Sequence, residues 1–205
     1  MARVKCTKIE LVRLKKKLSL FQKYLPTLQL KKMLLQAEVN KAKEDIKRLK
    51  KLYEEERDLA AEHAHLLTDP SAKEMKRSLE IEELLLEWEN IAGIQVPQLE
   101  KLTFKEVEPS LIRTPLWIDE TIEIIRRLQY AYQRITVAIR KMEILQRELR
   151  VVSIRVNLFE KRLIPELEKQ INQIRVFLGD QDLQAVAQAK VSKEKILKRK
   201  EEAIV

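Results

Sequence analysis

The side chains able to do chemistry are few and badly spaced for it. His63 and His65 are two residues apart, about 200° around a helix, so they cannot grip one metal ion together and read as solvated surface histidines. Cys6 is the single cysteine and has no sequence neighbour that marks an activated thiolate, so it reads as an ordinary thiol with no internal disulfide to make. The carboxylates at Glu54 to Glu56 and at Glu82 and Glu83 carry no accompanying pocket signal and read as solvent-facing. Two glycines in 205 residues exclude a glycine-rich phosphate loop, and neither a nucleophile elbow nor a metal-spaced Cys/His set occurs. No catalytic, cofactor-binding or metal-ligating residue is assigned, and function is expected to lie in shape, stiffness and contact surfaces. Trp88 and Trp117 flank a central insertion; one reading makes them partner anchors, and the favoured one packs the insertion with them.

The elements that carry these residues are predicted to be helices. Charged residues are 36% of the chain and aromatics 5%, which starves a sandwich, barrel or doubly wound sheet of turn glycines and aromatic core. A hydrophobic fraction of 45% is too high for a disordered chain, yet no run of about 18 apolar residues exists to span a bilayer. The N-terminal residues show no secretory apolar core, so the protein is expected in the cytoplasm.

Thr7 and Glu10 have capping-box spacing, which predicts a helix start with hydroxyl and carboxylate each satisfying a backbone donor. From there Leu11, Leu14, Leu18, Phe21, Leu25, Leu28, Lys32, Leu35, Val39, Ala42, Ile46, Leu49 and Tyr53 alternate steps of three and four, a coiled-coil seam. Pro26 interrupts the seam without shifting its phase and predicts a bend rather than a stop. Asp69-Pro70 opens a short helix over roughly Ser71 to Ile91. From Gly93 to Pro115 the helix period gives way to a small strand pair or irregular knob, and Thr114-Pro115 caps the next helix. A second seam then runs through Ile118, Ile122, Ile125, Leu128, Tyr132, Ile135, Ile139, Met142, Leu145, Leu149, Val152, Val156, Phe159, Leu163, Leu167, Ile171, Ile174 and Leu178. Its spacing tightens near Met142 and lengthens from Leu163 to Ile171.

The fold class is therefore all-α: a long antiparallel two-helix coiled coil with a central insertion of a short helix and a small β-ribbon or irregular knob. The domains are residues 1–67, the insertion 68–116, and the C-terminal helix 117–205 with its basic tail. In an antiparallel register Lys5 faces Gly179 and Pro26 faces roughly Leu158, near Pro165, so both helices are expected to loosen at a similar height, with residues beyond Gly179 overhanging. Leu158 and Phe159 are expected inside the seam. Net charge is +9, made of +8 in residues 1–67, −4 in the insertion and +5 in the remainder. Carboxylates break nearly every basic run, as at Lys41 to Glu44, which argues for solvated faces and against nucleic-acid binding. The densest cluster, from Lys190 to Lys200, is either a solvated tail or a contact for acidic surfaces.

Particular residues then carry a resemblance. Arg155-Val156-Asn157-Leu158-Phe159-Glu160, followed by Ile164-Pro165, resembles the Arg-Val-Asn-Ala-Leu-Glu and Ile-Pro signature of the D subunits of V-type and A-type rotary ATPases. Thr7 to Leu11, with Leu14 and Leu18, is similar to that family's opening, and Val96-Pro97 and Thr114-Pro115 fall where it has a ribbon between two long helices. Departures are Tyr24-Leu25-Pro26, Ile154 in place of an arginine, and Ala187-Gln188 in place of Phe-Arg. The resemblance implies a non-catalytic component of the central stalk, a rotor shaft passing torque between ATP hydrolysis or synthesis in a catalytic head and ion transport, of protons or sodium, in a membrane sector. It implies as partners the catalytic A and regulatory B nucleotide-binding subunits, the small F subunit of the stalk, and an adaptor above the membrane rotor ring, with no nucleic acid, no cofactor and no span of its own. It implies a cytoplasmic location, peripheral to the membrane, and makes Arg155, Val156, Asn157, Glu160, Ile164, Pro165, Val96 and Pro97 the candidate contact or shaft residues. The seams alone would serve equally a coiled-coil scaffold or adaptor unrelated to rotation.

Overall fold

The computed structural model describes residues 5–68, 78–105 and 117–202. Helix α1 runs Lys8–Glu62 and is followed by a 3-10 turn, Ala64–Thr68. Strands β1, Ile81–Ile91, and β2, Ile94–Phe104, form one antiparallel pair. Helix α2, Trp117–Leu158, passes through a π-helical turn, Phe159–Leu163, into α3, Ile164–Glu202. The chain is thus mostly helical with a small two-stranded sheet. It divides into two units, residues 1–30 with 153–205, and residues 31–152, so α1 and α2 each contribute to both.

The start of α1 follows from Thr7, whose Oγ1 accepts the Glu10 backbone N–H at 3.2 Å. Only that half of the expected capping box forms. The Thr7 N–H donates instead to the Lys5 carbonyl at 3.0 Å, and the Glu10 carboxylate pairs with Arg13 at 3.6 Å. Pro26 lies inside α1 and does not end it. It is exposed, so the carbonyl that loses its ladder partner is open to water. At the far end His63 and His65 turn Nδ1 toward the carbonyls of Leu59 and Glu62, at 3.1 and 2.9 Å, where a helix leaves carbonyls unsatisfied.

In the terminal unit Leu14, Leu167, Ile171 and Ile174 form a buried cluster, with Cys6, Leu11, Leu18, Phe21 and Leu178 half-buried against it. The Phe21 and Phe159 rings meet edge to face, centroids 4.8 Å apart, about one turn away from the antiparallel register read from the sequence. From Gly179 to Leu197 every residue of α3 is exposed.

The π turn has a local cause. Pro165 has no N–H to donate and its ring crowds the carbonyl four residues back; the Ile164 N–H reaches past that position to the Phe159 carbonyl, five residues back. The widened turn consumes one extra residue, which accounts for the succession of four-residue steps Phe159, Leu163, Leu167 and Ile171 in a seam that stays buried or half-buried. Leu158, expected inside the seam, is 41% exposed: it precedes Phe159, and the ring takes the inward position.

In the second unit α1 buries Leu35, Val39, Ala42, Ile46 and Leu49, and α2 buries Ile118, Ile135, Val137, Leu145 and Val152, all but Val137 at positions of the two seams. Tyr132 departs from this pattern, with an exposed side chain whose ring tilts against Tyr53 at 6.2 Å. Thr121 is buried off the seam and satisfies its hydroxyl by donating to the Trp117 carbonyl at 2.8 Å.

The insertion corrects the sequence reading. Residues 81–91, expected to be helical, are strand β1, and the remainder of that expected helix lies largely outside the described residues, as do the Asp69-Pro70 and Thr114-Pro115 caps. Leu and Glu are strong helix formers, which made Ile81 to Ile91 look helical, but strand propensity is set by context. The deciding element is the two-residue loop Ala92-Gly93 between Ile91 and Ile94. Both residues have positive φ, 52° and 81°, as a type I′ turn requires, and its twist matches paired strands. Asn90 Oδ1 accepts the Gly93 N–H at 2.9 Å and fixes the corner.

Candidate functional site

The sequence-selected residues do not converge on one site. Val96 and Pro97 sit on β2 and are both fully buried. Pro97 pairs with Trp88, and Val96 with Glu89. Counting alternate pairs from the closing pair Ile91 and Ile94 puts Trp88 and Pro97 at a non-hydrogen-bonded pair, where a missing N–H costs the ladder nothing. On the terminal unit Val156 is buried, Ile164 and Pro165 are half-buried, and Arg155, Asn157 and Glu160 are exposed. The signature segment thus alternates between packing and surface.

The hairpin is fastened at two places within its unit. At its base Arg126 of α2 donates to the Ser78 carbonyl, Nε at 3.1 Å and Nη2 at 2.8 Å, and Nη2 also reaches the Lys105 carbonyl at 3.3 Å. Its guanidinium lies over the Phe104 ring, 5.2 Å from the centroid. One side chain therefore holds the segment leading into β1, the residue after β2 and the last residue of β2. Near the tip the Lys141 ammonium donates to Glu89 Oε2 at 2.9 Å, and Lys141 is only 24% exposed. Sequence reasoning did not find Arg126; a lone arginine on a helix face gives no signal until the hairpin ends are brought to it.

Two open grooves border these contacts. One, about 360 Å³, is lined by Leu49, Leu52, Phe104, Arg126, Tyr130 and Arg134. Beside it Arg127 pairs with Glu123, and that hydrogen bond followed by the carboxylate's charge raises the guanidinium further above its already high pKa. The other, about 400 Å³, lies where Glu89, Pro97 and Gln98 of the hairpin approach Lys41, Asp45 and Lys141. Neither groove is lined by a histidine, cysteine, serine or threonine, and acids and bases are mixed in both. Among the described residues no group of three or more His, Cys, Asp or Glu could hold a metal ion, and no helix is long and apolar enough to cross a membrane. Trp88, opposite Pro97 in the strand pair, is 55% exposed; Trp117, the first residue of α2, is half-buried.

The model of the family described as the D subunit of ATP synthase matches residues 10–194, nearly the whole chain and both units. The chain belongs to the ATP synthase D-subunit family. Curated relatives bear the name of the V-type ATP synthase D subunit: that of Chlamydia abortus is 41% identical over 203 residues, 98% of each chain. That of Chlamydia caviae is 42% identical over 190 residues, 92% of this chain and 91% of its own. The Chlamydia trachomatis serovar L2 relative is 37% identical over 203 residues, 98% of this chain and 99% of its own. As a family member aligned end to end, the chain carries the hairpin and both seams inside the matched region.

Proposed function

We propose that this protein is the central-stalk component of a V-type ATP synthase or ATPase: a non-catalytic rotor shaft that passes torque between nucleotide turnover in a catalytic head and ion transport in a membrane sector. The observation that carries the reading is the end-to-end likeness to relatives named as the V-type ATP synthase D subunit. The two seams support a long antiparallel two-helix coiled coil, whose interlocked side chains resist bending and twisting.

In this reading the terminal unit faces the A and B nucleotide-binding subunits, and the hairpin unit faces the small F subunit and the adaptor above the rotor ring. The protein works in the cytoplasm at the membrane face. Arg155, Asn157 and Glu160 are the signature residues that touch partners, since they are exposed. Val156, Ile164, Pro165, Val96 and Pro97 serve by packing and by setting backbone path. A shaft whose faces differ presents a different surface to each nucleotide site as it turns, and site occupancy follows from those differential contacts.

The test is affinity purification of the tagged chain at near-physiological salt, followed by an ATPase assay and single-molecule observation of a bead fixed to the hairpin of the captured complex. Co-purification of two large nucleotide-binding subunits with ATP-driven rotation of the bead is the expected result. A chain that elutes alone or as a homodimer, without ATPase, replaces this reading with that of a coiled-coil scaffold.

A further inference from the structure

In the terminal unit α1 is apolar on two opposite sides. At about 3.6 residues per turn, the packed residues Leu11, Leu14, Leu18 and Phe21 occupy one side, and Ile9, Val12, Leu20, Tyr24 and Leu30 fall within about a third of the circumference on the other. None of the second set is covered: Ile9 is 83% exposed and the other four are 49–55% exposed. An apolar stripe left in water on one helix marks a contact surface.

The charge on the same stretch is one-sided. Between Glu10 and Leu30 there is no carboxylate, while Arg13, Lys15, Lys16, Lys17 and Lys23 supply five positive charges. Arg13 reaches back to Glu10, and Lys17 lies over the Phe21 ring at 5.6 Å. Lys16 and Lys23 are exposed and make no ion pair among the described residues. The interleaving of acids with bases that prevails elsewhere in the chain stops here.

We propose that this outer face of α1, from Ile9 to Leu30, docks an acidic helical protein surface whose carboxylates alternate with apolar side chains. The choice among anionic partners follows from where the lysines stand. Lys16 and Lys23 project from within the apolar arc, between its outermost residues; a helix lying in a bilayer interface needs a clean apolar face with cations along its edges, and here insertion would bury two ammonium groups. A polynucleotide offers phosphates to the lysines but leaves Ile9, Val12 and Leu20 in water. A protein helix bearing Glu and Leu on one face satisfies both sets together, and burying opposed charges among apolar groups gives register as well as attraction. The inference deepens the shaft reading by giving the chemistry of the surface that the terminal unit turns against, and rests on that reading only for the partner's identity.

The test uses the full chain and a fluorescent, helix-stabilised peptide with Leu and Glu at helical spacing on one face, together with the same peptide carrying Gln for Glu. Anisotropy should report binding of the Glu peptide that weakens with added salt, and about tenfold weaker binding of the Gln peptide, the factor that about 1.4 kcal/mol represents. The exposed pair Lys16→Glu/Lys23→Glu and the exposed pair Leu20→Ser/Tyr24→Ser should each weaken binding by about the same factor, while Lys43→Glu/Lys47→Glu, elsewhere on α1, changes it less than about twofold. Far-ultraviolet circular dichroism on each variant separates lost binding from lost fold. No binding of the Glu peptide, equal binding of the Gln peptide, or stronger binding to phosphatidylserine vesicles or to polyuridylate than to the Glu peptide overturns the proposal. A negative result with an ATPase-active captured complex sinks this inference alone; a positive result with no captured complex sinks the rotor reading alone.

Discussion

At residue scale the hairpin corner stores a small cost at Ala92. A non-glycine residue at φ 52° is disfavoured, and asparagine tolerates that region while suiting the first position of a type I′ turn. Ala92→Asn should therefore stabilise the hairpin unit by about 0.5–1 kcal/mol, read as a higher urea midpoint at unchanged slope. Gly93→Val, at φ 81° with only Lys31 Nζ within 4 Å of the added Cβ, should destabilise through backbone strain and not through crowding. A second comparison turns on burial. Leu145 is fully buried and Leu145→Ala should cost about 2–5 kcal/mol, whereas Leu158→Asp, at a position 41% exposed, should change urea stability by less than about 1 kcal/mol. Arg126→Gln removes a charged donor from two carbonyls and should cost roughly 1.5–3 kcal/mol, with faster amide exchange at both ends of the hairpin as its mark.

At element scale the π turn makes a prediction that separates it from ordinary helix. If Phe159–Leu163 spends one residue that a regular helix would not, deleting the exposed Lys161 leaves an α turn and keeps Leu167, Ile171 and Ile174 on the packed side. That deletion should shift the thermal midpoint by only a few degrees. Deleting Arg140 from the regular part of α2 rotates everything after it by about 100° and should abolish cooperative unfolding. Equal damage from both deletions would show that the π turn is not a tolerated insertion. The same scale shows what the sequence made legible. Both seams could be read because their period repeats over many turns and the buried residues fall on them, as Leu35, Val39, Ala42 and Ile46 do. Strand β1 could not be read from its composition: Leu84, Leu85 and Leu86 with their glutamates suit a helix as well as a strand. The signal lay just beyond the strand, in Ala92-Gly93 flanked by Ile91 and Ile94, a short-range turn cue outweighed by a longer run of helix formers. The proposed contact residues were legible only by resemblance, because Arg155, Asn157 and Glu160 have no periodicity that distinguishes them from any exposed polar face.

At the scale of the whole molecule the charge is distributed by task. The insertion carries −4 and the flanking segments +8 and +5, so the proposed partners at the two units would meet different signs. In the proposed role, a shaft that passes torque has no need for its helices to slide past one another. Cysteines placed at Phe21 and Phe159 in a Cys6→Ser background, joined by a short bis-maleimide, should therefore leave ATP-driven rotation of the captured complex near its unlinked speed. Rotation that stops on cross-linking and resumes when a cleavable linker is cut would show that sliding within the terminal unit is part of the work.

The bare stretch of α3 has a consequence of another kind. From Gly179 to Leu197 no side chain is packed, and helix without tertiary packing opens readily. Lys190, Lys193 and Lys195 lie in this stretch. Trypsin should cut the free chain there long before it cuts α1 at Lys43 or Lys47, and should spare the same bonds once a partner covers them. If the proposed complex covers this stretch, the C-terminal helix becomes a lifetime clock: orphan copies would be clipped from that end first, and a seated copy would be spared.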